Sequence, residues 1–156
     1  MSGQPSPPTA NSSSVTLEIR RMIAATAEFL FDAWTQPAKM KEWWGPREVR
    51  CIAVEIDLRV GGRYRIGNQF PDGKILWISG KFESIERPHK LVYTWSVEPV
   101  SGSIERVSVQ FEPRDGATEV IVTHERIPDT ATRDQHQAGW HGCLDGLVSY
   151  ARRENC

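Results

Sequence analysis

Two histidines with apolar neighbours set much of the chemistry this sequence can offer. His124 follows Val120 and Val122 at every second position, on the inward face of an alternating run. His136 falls on the apolar side of a stretch with a 3.6-residue period, one turn before Trp140. An imidazole in such a place can fix a ligand carboxylate or hydroxyl, hold an anion, or move a proton near neutral pH. Both positions also suit plainer roles: a core or sheet-end histidine satisfied by a neighbour for His124, a half-exposed residue in a first helical turn for His136.

Other chemistries lack support. His136 and His141 are five apart and do not share a helix face, and no HExxH occurs. Cys51, Cys143 and Cys156 are far apart, with no CxxC pair, so free thiols are expected. Neither a metal nor a cofactor is expected. There is no GxSxG, and Gly61, Gly62 and Gly67 lack the Lys-Ser/Thr ending of a phosphate loop. Asp57 and Arg59 alternate on one strand face and read as an ion pair or as turn anchors.

Aromatic residues frame the histidines. Trp43 and Trp44 are adjacent and therefore point differently. Either one guards a cavity mouth while the other packs inward, or both pin a helix to a sheet. Tyr64, Tyr93, Trp95 and Trp140 lie on inward faces, where they form core, cavity wall, or both.

These residues need elements to position them. Residues 1–14 are polar, rich in proline and serine, and read as a disordered tail; the sequon at Asn11 carries little weight there. A single domain is expected over 15–156. Val15, Leu17 and Ile19 alternate with polar residues, as in a half-buried strand. Thr26 can cap a short helix whose first turn holds Glu28, and Pro37 opens a second that ends at Gly45-Pro46. From Val49 to Arg126 the period is two. Breaks fall at Gly61-Gly62, Pro71-Asp72-Gly73, Arg87-Pro88 and Asp115-Gly116. From about Asp129 the period becomes 3.6, with Cys143, Leu144, Leu147, Tyr150 and Ala151 joining His136 and Trp140 on one face. Gly139, Gly142 and Gly146 flank that stripe, at about 1 kcal/mol of helix propensity each. Such a helix either presses closely onto the sheet or leaves room beside it. The fold class is α+β: a curved antiparallel sheet of six or seven strands around a long C-terminal helix, with two short helices after the first strand.

The chain has 156 residues, 39% hydrophobic and 25% charged, with a formal net charge of −1. That suits one globular domain with a full core. No basic stripe suggests nucleic acid, and no apolar run approaches the ~20 residues of a membrane span. The N-terminus does not read as a secretory signal, and a cytoplasmic location is expected.

The segment Trp43-Trp44-Gly45-Pro46 resembles a motif of the activator of heat-shock-protein ATPase homologues, a branch of the START-like (SRPBCC) superfamily. Further pieces agree in order: Glu55 to Gly62, Pro71 to Gly73, Leu91 to Trp95, Val107 to Pro113, Thr118 to His124, and His136 with Gly139-Trp140. The resemblance implies the helix-grip fold, with a cavity between sheet and helix. Many activities share that fold, so it names none.

The reading expected from these residues is a binding module for a small apolar or amphipathic molecule. Its walls would come from Trp43, Trp44, Tyr64, Ile66, Ile78, Phe82 and Tyr93. Trp95, Val107, Val109, Trp140 and Leu144 would complete them, with His124 and His136 as the polar groups. Two alternatives stand beside it: a cyclase- or dehydratase-type enzyme using a cavity histidine, and a co-chaperone. The resemblance is to short single-domain members, without the extra N-terminal domain of eukaryotic activators, so a chaperone partner is not expected. Aromatics near Trp43 and Trp77 could instead serve a homodimer.

Overall fold

A computed structural model describes residues 14–46, 48–98 and 104–155. Apart from Ser14, the stretch read as a disordered tail lies outside them, as do the sequon and Cys156. Strand β1 (Val15–Ile23) is followed by helices α1 (Ala27–Thr35) and α2 (Pro37–Trp43). Six further strands then run as a meander: β2 (Arg50–Ile56), β3 (Arg63–Gln69), β4 (Ile75–Glu86), β5 (Lys90–Glu98), β6 (Glu105–Arg114) and β7 (Ala117–Ile127). Helix α3 (Thr130–Asn155) closes the order.

All seven strands join one antiparallel sheet in the order β1-β7-β6-β5-β4-β3-β2. The first strand pairs with the last, so the meander begins at the far edge. Register shifts add an extra residue to β2, β4 and β7. Such bulges bend a strand and increase its twist, which curls the sheet around α3.

Local signals place the short helices. Thr26 Oγ1 accepts the Phe29 amide at 3.0 Å, and Pro37 occupies the first turn of α2. Asp129 caps α3 by accepting the Thr132 amide at 2.7 Å. The Asp57–Arg59 pair closes at 2.8 Å in the β2–β3 turn.

Helix α3 crosses the concave face and meets β1, β7 and α2. Its stripe of Cys143, Leu144, Leu147, Tyr150 and Ala151 is buried against Leu17, Ile19, Val109, Phe111, Val120 and Val122 within one core. Each fully buried leucine or valine there contributes about 1.5–3 kcal/mol.

Two helical glycines do opposite things. A Cβ on Gly146 would collide with the carbonyl oxygen of Trp43, so its absence lets α3 touch the end of α2. A Cβ on Gly139 would meet open space. The helix therefore touches α2 at Gly146 and has open space beside Gly139.

Candidate binding cavity

Beside Gly139, between α3 and strands β3 to β5, lies a cavity of about 610 Å³. Trp44, Trp95 and Trp140 form its aromatic wall, and Leu76, Ile78 and Val97 its sheet side. Pro46, Val49, Phe70 and Pro128 complete the apolar lining, and Cys143 lies in the helix wall. Burial pushes the Cys143 thiol up to about 12, so it is no thiolate at neutral pH.

The indole rings are fixed by hydrogen bonds as well as packing. Trp44 Nε1 donates to Asn68 Oδ1 at 3.0 Å, and Asn68 Nδ2 reaches the carbonyls of Ile66 and Leu76 at 3.3 Å. Asn68 thus ties the α2–β2 connection to β3 and β4. Trp140 meets Trp44 edge-on at 5.5 Å and Trp95 at 5.6 Å.

Polar groups gather at one wall. Glu105, at the start of β6, accepts at a single oxygen, Oε1, from His124 Nε2 at 2.7 Å and His136 Nε2 at 2.9 Å. The two imidazoles stack, 4.5 Å between centroids and 19° between planes. Trp140 Nε1 donates to His124 Nδ1 at 3.0 Å. An indole nitrogen only donates, so His124 Nδ1 must be bare and its hydrogen sits on Nε2, facing Glu105.

The electrostatics agree with that arrangement. Burial is the main force on His124 and pushes it below its ordinary value, against the pull of Glu105. Burial works to raise Glu105, but the hydrogen bonds and charges of the two imidazoles outweigh it and hold the carboxyl below its ordinary value. The cluster is a buried carboxylate served by a neutral His124.

The ligand atoms of Glu105, His124 and His136 all lie within 4.8 Å of one another, close enough to suggest a metal. No HExxH announces this grouping, because three separate elements supply it. A metal on His124 Nε2 would move the imidazole hydrogen to Nδ1, where it would face the Trp140 N–H. The Trp140 N–H behind His124 therefore suits a hydrogen-bonded cluster better than a metal centre.

The structure brings Trp44, Ile78, Trp95, His136 and Trp140 together around the cavity. His124 is fully buried one layer behind, touching both Trp95 and Trp140. Tyr64, Ile66, Phe82 and Tyr93 surround a separate void of only about 20 Å³, which Trp95 also touches. Val107, Val109 and Leu144 are fully buried where helix and sheet meet. Trp43 is buried too and donates to the Ala33 carbonyl at 2.9 Å, so it pins α2 to α1. It offers no exposed patch to a second copy, and Trp77 lies half-buried under the Arg65 guanidinium, 3.7 Å from the ring centre.

Sequence reasoning missed Glu105 and Asn68. The signal existed: Glu105 shares the parity of Val107, Val109 and Phe111, and Asn68 that of Tyr64 and Ile66. A polar residue in an inward register is the informative exception.

A family model described as activator of Hsp90 ATPase homolog 1-like protein matches residues 24–152. No curated protein matches the sequence. Among solved structures, the AHSA1 protein of Silicibacter pomeroyi is 26% identical with a TM-score of 0.79, covering 90% of this chain and 99% of that one. A protein of Chromobacterium violaceum is 22% identical at a TM-score of 0.79, over 86% of this chain and 96% of its own. One from Nitrosomonas europaea is 19% identical at 0.78, over 90% and 96%. At such identity the last two speak for the fold alone.

Proposed function

The chain belongs to the activator of Hsp90 ATPase homolog 1-like family, and from that premise we propose that it binds a small apolar or amphipathic molecule between its sheet and C-terminal helix. The observation that carries this reading is the cavity of about 610 Å³, lined by three indoles and mostly apolar side chains, with Asn68, Glu105, Thr132, Gln135 and His136 as its polar residues. Ligand sites are concave, mostly apolar, and carry a few placed polar groups. Trp44, Ile78, Trp95 and Trp140 supply the apolar surface, and Glu105 with His136 the polar end.

Native mass spectrometry of the protein purified from its own host, with denaturing release of anything bound, tests it. A reproducible small-molecule adduct that disappears in Gly139→Phe is the expected result. An adduct undiminished in that variant would put the molecule outside the cavity and refute the assignment.

A second reading, an enzyme of cyclase or dehydratase type, draws on one detail. His136 turns Nε2 to Glu105, which leaves Nδ1 at the cavity wall without a hydrogen-bond partner among the described residues. His136→Gln should then abolish turnover of a bound substrate while leaving its affinity within about threefold.

A further inference from the structure

Granting that ligand-binding reading, the polar end of the molecule follows from how Glu105 is used. Its Oε1 takes both imidazole hydrogens, while Oε2 accepts no hydrogen bond among the described residues and is not sealed off. The side chain is only 9% exposed and lines the cavity. Both imidazoles spend their Nε2 hydrogens on Glu105, and His124 Nδ1 is filled by Trp140. At a pH where both rings are neutral, no imidazole hydrogen remains for an anion, and His136 Nδ1 can only accept.

The surroundings point the same way. Among the described residues no lysine or arginine lines the cavity, and none forms an ion pair with Glu105. Trp95 lies 5.9 Å from His136 and 5.6 Å from Trp140. Indole faces attract cations, and a buried carboxylate without a cationic partner gains most from one.

We propose that the cavity selects a molecule carrying a protonated amine on an apolar frame, the ammonium donating to Glu105 Oε2 beside the indole wall. A carboxylate head meets the charge of Glu105 with no cation among the described lining residues to offset it. A neutral hydroxyl can donate but gains nothing from the charge or the rings.

Octylamine, 1-octanol and octanoate share one apolar frame and differ in the head. Titration calorimetry at about pH 8, where the amine stays protonated and imidazoles are neutral, ranks them. The expected order is octylamine, then octanol, then octanoate, with the amine tighter than the alcohol by about tenfold. In Glu105→Gln, checked for its fold by near-UV circular dichroism, amine and alcohol should come within about threefold of each other. The wild-type ranking decides the matter even if that variant does not fold. Octanol or octanoate binding as tightly as octylamine, or a folded Glu105→Gln that keeps the preference, overturns the amine and leaves the ligand-binding reading standing. No binding by any of the three overturns both.

Discussion

Trp140 donates its indole hydrogen to Nδ1 of His124 at 3.0 Å, and this contact fixes the histidine's tautomer. It links the cavity wall to a fully buried group behind it, so the wall's rigidity and the core's polarity depend on each other.

Replacing Trp140 by phenylalanine keeps an aromatic ring but leaves His124 Nδ1 buried and unpaired. The expected loss is about 1–3 kcal/mol, read from urea unfolding. A change below about 0.3 kcal/mol would mean that the indole hydrogen does not hold the imidazole.

Acid should unfold the protein in two stages. His124 lies below its ordinary value of 6.5 in the folded state, so the unfolded chain binds that proton first. Stability is therefore full above that value and declines as pH falls below it, towards the depressed folded value. Glu105, also held below its ordinary value of 4.5, adds a second loss at lower pH in the same direction. A melting temperature that stays flat from pH 7 down to about pH 4 would contradict this. His124→Gln should remove the upper stage and weaken the lower one, because His124 is one of the groups that hold Glu105 down.

Alanine at Gly139 and at Gly146 should have opposite effects. At Gly139 there is room and helix propensity improves, so stability rises by up to about 1 kcal/mol. At Gly146 the new methyl meets the Trp43 carbonyl, and the two helices must separate, at about 1–3 kcal/mol. Thermal melts of the pair decide it, and equal shifts of one sign would contradict the packing.

The fold was legible because its periods are clean: alternation from Val49 to Arg126, then a helical stripe through Leu144 and Leu147. The family motif around Trp43-Trp44 agreed with them. The cavity was only partly legible. Parity says that Tyr64 and Phe82 face inward, as Ile78 and Trp95 do, but not where the helix stands off from the sheet. That separation depends on bulges in β2, β4 and β7 and on where α3 touches α2. Glu105 was hidden for another reason. A carboxylate at the start of an apolar strand reads as its solvated end until β7 and α3 close over it.

Gly146 against Trp43 makes α3 a beam clamped near one end. Its other half, which carries His136, Gly139 and Trp140, borders the cavity and is held by the packing of Trp140 against Trp44 and Trp95 as well as by side-chain hydrogen bonds. Any lifting of that half parts His136 from Glu105 and Trp140 from His124, while the apolar contacts around Leu147 stay in place.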